Sequence, residues 1–299
     1  MEESNGHRIL FVPGMRPKPP AEEHRDLLWG CLSEGVRRAD PRVVLDKACF
    51  EVIAWNPLYY DTHRDIELDR PWVEQMLERP GPDDRDRAES GSLRWRFYWA
   101  LFTLLDRFPG LVKYVRQKWI LEGAAETRRY FENTEGIADA IREPLAERIV
   151  EEHHAGNRVL LIGHSLGSVI AFDTLWELSR ASGSEASVDL FLTLGSPLGL
   201  RFIKKRLRGA GQKGAERYPS NIRRWVNIAS VGELKALDPS LRDDFAEMTR
   251  YGLVHEVTDL SADFFNYYRE QGRLNVHKSY GYLLNPITGR VIADWWRHN

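Results

Sequence analysis

"VLLIGHSLGSVIAFDTLWEL" runs from Val159 to Leu178. It opens as an apolar run of strand length and turns on two glycines around Ser165. Val169, Ile170, Phe172, Leu175 and Trp176 then return at helical spacing. Gly-x-Ser-x-Gly by itself is weak, since a chain of this length contains one by chance on the order of one time in ten. Its setting carries the weight, because a buried strand before the turn and a helix after it are what a nucleophile elbow requires. Gly163 and Gly167 lack the side chains that would collide with the neighbouring strand and helix. The helix N-terminus places free N–H groups and a positive dipole end beside the hydroxyl. The competing reading is a strand-to-helix turn whose serine only caps the helix.

Outward from this unit, strand-length apolar runs alternate with amphipathic stretches. "RILFV" (Arg8–Val12), "FEVIAW" (Phe50–Trp55), "RVLLI" (Arg158–Ile162), "DLFLTL" (Asp189–Leu194), "RRWVNI" (Arg223–Ile228) and "GLVHEV" (Gly252–Val257) read as strands. Helices are expected over Glu22–Arg38, Gly136–His153, Leu166–Arg180 and Ser240–Arg250. The central runs barely alternate, as strands covered on both faces do. The pattern predicts an α/β fold with a doubly wound, mostly parallel sheet in one domain over residues 1–299. Residues 58–135 contain no strand candidate and read as an inserted helical cap or lid.

A serine hydroxyl needs a base, and the base needs an acid to fix its tautomer. Behind an elbow the acid and the histidine follow the serine in that order. Of nine histidines only His255, His277 and His298 lie beyond the next strands. His255 falls inside an expected strand and His298 is penultimate, which leaves His277 in the loop "GRLNVHKSYGYL". For the acid, Glu233 stands five residues past "RRWVNI". Asp238 is the alternative, although Pro239 after it suggests a helix N-cap. The oxyanion donors expected are the N–H groups of Leu166 and of Met15, after the Pro13-Gly14 turn.

These residues resemble the α/β-hydrolase family, in particular its lipase-like branch. "GHSLG" (Gly163–Gly167) matches the elbow, and "TLGSPLG" (Thr193–Gly199) resembles the Gly-Ser-Pro signature after the next strand. "WVNI" (Trp225–Ile228) and "HKSY" (His277–Tyr280) resemble the acid and histidine segments. Pro13-Gly14 stands where the branch usually has His-Gly, and Glu233 where Asp is commoner. The likeness covers the first strand and residues 136–299, not the insertion. It implies hydrolysis of a carboxylic ester through an acyl-enzyme on a Ser165–Glu233–His277 triad, with no cofactor and no metal. The same triad also serves thioesterases, peptidases and acyltransferases, and a non-catalytic binding module on this fold is the remaining reading.

A formal charge of −2 gives no global argument for nucleic acid as a partner. The two cysteines, Cys31 and Cys49, have no ligand spacing and read as buried thiols of a reducing compartment. The polar start "MEESNGHR" has no signal-like apolar core, and no run of eighteen apolar residues exists, so a cytoplasmic protein is expected. "FYWALFTLL" (Phe97–Leu105) lies between Arg94, Arg96, Arg107, Lys113, Arg116 and Lys118. Packing within its own subdomain is favoured over peripheral contact with a lipid surface. The basic loop Arg201–Arg217 is read as solvated in preference to anion-binding. The expected partner is a small-molecule or lipid-like ester with an apolar acyl or alcohol part.

Overall fold

The computed structural model describes residues 6–92, 104, 107–108, 110, 118–233 and 240–298. Six strands form one sheet: β1 (His7–Val12), β2 (Phe50–Val52), β3 (Arg158–His164), β4 (Val188–Leu194), β5 (Ile222–Ile228) and β6 (Val257–Asp259). Their order is β2-β1-β3-β4-β5-β6, and every pair runs parallel. The longer helices in chain order are α1 (Ala21–Ala39), α2 (Arg70–Glu78), α3 (Asp84–Ser90), α4 (Lys118–Glu132), α5 (Ile137–His154), α6 (Leu166–Leu178), α7 (Ser279–Leu284) and α8 (Pro286–Arg297). The α/β class expected from the alternation is what the chain adopts.

Alternate strand residues enter two separate cores, as a period of two demands. Leu10, Val12, Leu161 and Phe191 pack with Ile141 and Leu145 of α5 and Val169 and Phe172 of α6. Ile9, Phe11, Leu160 and Ile162 pack on the other face with Leu28 and Leu32 of α1, Leu284 of α7 and Ile292 of α8. Both faces of the central strands are therefore dry, which explains why their sequences do not alternate.

Two expectations along the chain are corrected. Residues 252–256 form turns and bends, with Gly252 at φ +69°, and the last strand starts only at Val257. His255 is thus exposed and lies before β6. In a parallel sheet that places it at the end opposite Ser165, which follows β3. The helix expected over residues 240–250 is two short pieces, Leu241–Asp244 and Ala246–Arg250, interrupted at Phe245 with φ −113° and ψ 20°. Its first amides, on Leu241 and Arg242, donate to the Asp259 carboxylate at 3.1 and 3.0 Å. Asp238, expected to cap that helix or serve as the acid, lies outside the described residues.

Between β2 and α5 the described residues form helices and no strand. α4 is tied to the body: the Tyr60 hydroxyl donates to Glu126 Oε2 at 3.0 Å, and the Tyr130 hydroxyl to Asp173 of α6 at 2.8 Å. Most of "FYWALFTLL" lies outside the described residues; Leu104 within it and Phe108 just after it are exposed. Among the described residues no helix is long and apolar enough to cross a membrane.

Candidate active site

Ser165 sits between β3 and α6 with φ 54° and ψ −128°, a conformation that costs a non-glycine residue about 1–3 kcal/mol. The surrounding structure holds it there. Its N–H donates to the Leu194 carbonyl at 3.0 Å, and its own carbonyl accepts from Ser168 N–H at 3.0 Å and Ser168 Oγ at 2.6 Å. Gly163 and Gly167 are both required by close approach. A Cβ on Gly163 would lie 2.6 Å from Ser168 Cα, and one on Gly167 would lie 2.2 Å from the Val12 carbonyl oxygen.

The end of β3, the loop after β5 and a loop well beyond β6 bring the predicted residues together. The Ser165 hydroxyl donates to His277 Nε2 at 2.9 Å, and His277 Nδ1–H donates to Glu233 Oε2 at 2.7 Å. Ser165 and Glu233 are buried, while His277 keeps partial access to solvent. Against the carboxylate Nδ1 must donate, so in the neutral imidazole the proton sits on Nδ1 and the Nε2 lone pair faces the serine. Such an imidazole can take the hydroxyl proton, and the buried carboxylate stabilises the imidazolium that results.

Several supporting residues were not singled out from sequence. The Tyr282 hydroxyl donates to the same Glu233 Oε2 at 3.1 Å and accepts from Ser230 N–H at 3.0 Å. Burial, and then the neighbouring Glu233, push the Tyr282 phenol well above its ordinary range, so it stays a proton donor. His164 Nε2 donates to the His277 carbonyl at 2.7 Å, clamping the loop that carries the base. Gly195, in the "GSP" stretch after β4, has φ +54°, and a Cβ there would stand 3.1 Å from Glu233 Oε2 and 3.2 Å from His277 Nδ1. Only a glycine leaves that hydrogen bond undisturbed.

Leu166 opens α6 directly after the serine, at the end where helix amides lack intrahelical acceptors. The Pro13–Arg16 loop is pinned from outside: Trp55 Nε1–H donates to the Pro13 carbonyl at 2.8 Å, and Asn56 Nδ2 to the Gly14 and Arg16 carbonyls at 3.0 and 3.1 Å. Arg16 N–H donates to the Tyr60 hydroxyl at 2.9 Å, so the amide that precedes it, on Met15, is the loop's candidate donor. Gly14, Met15, Ser165 and His277 line one cavity of about 790 Å³.

The basic loop is largely tied to its own surface. Lys204 pairs with Asp244, Arg208 with Asp139 and Glu177, and Arg217 with Glu247. Cys31 and Cys49 are buried free thiols, both held protonated first of all by burial. Among the described residues no group of three His, Cys, Asp or Glu side chains is arranged to hold a metal. No family model matches the chain, and no curated protein or solved structure is significantly similar to it.

Proposed function

We propose that the chain is a serine hydrolase of the α/β-hydrolase kind that cleaves a carboxylic ester. One observation carries this reading: Ser165, strained on a strand-to-helix turn, is in hydrogen-bond contact with His277, which is in contact with buried Glu233. A serine that only capped α6 would bond its hydroxyl to the helix amides, and Ser165 makes no side-chain cap hydrogen bond.

The roles follow from the geometry. His277 Nε2 takes the Ser165 proton as Oγ attacks the ester carbonyl, and Glu233 steadies the imidazolium. The Leu166 and Met15 amides receive the oxyanion. The ester C–O bond breaks, the alcohol leaves with the proton from His277, and the acyl group remains on Oγ. Water then gives a proton to His277 and attacks the acyl-enzyme, releasing the acid and restoring Ser165.

Intact-mass labelling with a small fluorophosphonate tests this directly. One adduct per chain on the wild type, absent from Ser165→Ala and His277→Ala, is expected. An unlabelled wild type would return Ser165 to the role of a turn residue.

A further inference from the structure

The cavity that Ser165 opens into is also lined by Lys18, His24, Arg64, Asp69, Glu270 and Lys278. These charged side chains stand in a cavity for which the sequence led us to expect an ester with an apolar acyl or alcohol part. His24, in the first turn of α1, is 3% exposed, and its ring nitrogens form no hydrogen bond among the described residues. Burial, then Lys18, lower its pKa to about 3 against the opposing pull of Asp69, so the imidazole is neutral and keeps one N–H donor. The ring nitrogens are not sealed off: they stay open to the cavity that His24 lines, and a donor there is completed by what the cavity holds.

The cations around it are held in place. Asp69 receives Lys278 Nζ at 2.7 Å, Arg64 Nη2 at 2.9 Å and the Tyr280 hydroxyl at 3.3 Å. Arg64 Nη2 also reaches Glu270 Oε1 at 2.9 Å, and Lys18 Nζ donates to the Met15 carbonyl. An ammonium has three donors and a guanidinium five, so these bonds orient Lys278 and Arg64 without exhausting them. Around the cavity four cationic side chains, Arg16, Lys18, Arg64 and Lys278, face three carboxylates, Asp69, Glu233 and Glu270.

Resting on the reading of Ser165 as nucleophile, we propose that the substrate carries an anionic group, a carboxylate or a phosphate, received by His24, Lys18 and Lys278 while its ester carbonyl lies at Ser165. The wall selects for charge at the end of the substrate remote from the scissile bond, and a purely aliphatic ester would leave the His24 N–H without an acceptor.

The decisive comparison uses two para-nitrophenyl esters of equal chain length, the hexanoate and the monoester of adipic acid, which differ by a terminal carboxylate. On the full chain, kcat/KM is expected to favour the acidic ester by at least about tenfold at low salt, narrowing as salt is added. Lys18→Gln and His24→Phe should each cut that ratio about three- to tenfold. A ratio at or below unity, with both esters hydrolysed, overturns the anion site and leaves the hydrolase reading standing. If neither ester is hydrolysed and the fluorophosphonate does not label, the hydrolase reading fails instead. Equilibrium binding of adipate and of inorganic phosphate to the same protein then decides the site. Binding weakened in Lys18→Gln keeps it, with the tighter probe identifying the anion, and no binding of either removes it.

Discussion

The cavity has two unlike sides. One is assembled from the ends of β3, β4 and β5 with the loop bearing His277, and there the hydrogen-bonding atoms of Ser165, His277, Glu233 and Tyr282 answer one another. The other is assembled from residues 16–24 and 62–69 with Lys278, and there His24 has a ring N–H without an acceptor. On the first side every group named has a protein partner before any ligand arrives, and on the second the imidazole of His24 has only the cavity. A site that performs proton transfer must hold its donors and acceptors within hydrogen-bond reach in advance, and rigid strand ends do that. A side that recognises a ligand keeps unsatisfied groups for that ligand to complete.

The largest effect expected is on the satisfied side. Ser165→Ala and His277→Ala should each lower kcat by about four orders of magnitude or more, and the double variant should be scarcely worse, because the residues act as one unit. A double variant that lost the product of the two single effects would break the picture of a coupled chain. Next, Glu233→Gln keeps the shape but supplies the wrong hydrogen-bonding pattern to Nδ1, and a fall of about 10³–10⁴ in kcat is expected. Asp238→Asn should change kcat less than about threefold, since Glu233 already accepts from His277 Nδ1. The opposite ranking in steady-state kinetics would transfer the acid role to Asp238. Smaller again is Tyr282→Phe, which removes one donor from Glu233 and leaves Ser230 N–H without its acceptor. At about 1–3 kcal/mol per such loss, a ten- to hundredfold fall in kcat with little change in KM is expected.

The two sides also differ in how far they could be read from sequence. Ser165 was legible because an elbow imposes a local pattern, glycines at fixed offsets between a strand and a helix. His277 and Glu233 were legible through chain order, which a parallel sheet converts into loops gathered at the same edge of the sheet. Tyr282 left no such signal: it lies in α7, and only the fold turns its hydroxyl onto Glu233. Asn56 holds the Met15 loop from 40 residues away with no spacing that distinguishes it from any other asparagine. The charged wall was the least legible. Asp69 and Lys278 are 209 residues apart, and each looks like a solvated charge until the chain is folded. An ester with an apolar part was expected, whereas the insertion's described contribution to the cavity is its polar entry, Thr62, His63, Arg64 and Asp69. Strand positions suffered wherever short runs met glycine, as at residues 252–256, where hydrophobicity alone does not show that the chain is turning.

The smallest effect sharpens the comparison by acid titration of the open side. His24 has an ordinary pKa of 6.5 and a folded pKa near about 3, so the unfolded chain binds the proton more readily than the folded one. Its contribution to stability is therefore fully present above about pH 6.5 and is lost progressively as pH falls toward about 3. Lys18 and Lys278 deepen the shift and Asp69 opposes it. At pH 6 the loss is under about 1 kcal/mol, and it grows by about 1.4 kcal/mol for each further pH unit within the window. Urea unfolding of the wild type and of His24→Phe across pH 4–7 reads this directly. The variant should lose some packing stability at pH 7 against Tyr280, whose ring lies 6.2 Å from that of His24, yet fall less steeply in acid. Parallel curves would mean that His24 ionises as easily in the folded chain as outside it. An easily protonated imidazole would itself be a cation in the wall, which would change the anion's reception from a neutral N–H donor to a charged one. Adding adipate separates these cases: bound to a neutral His24 and two ammonium groups, it should raise the unfolding midpoint of the wild type at pH 7 and do so less in the variant.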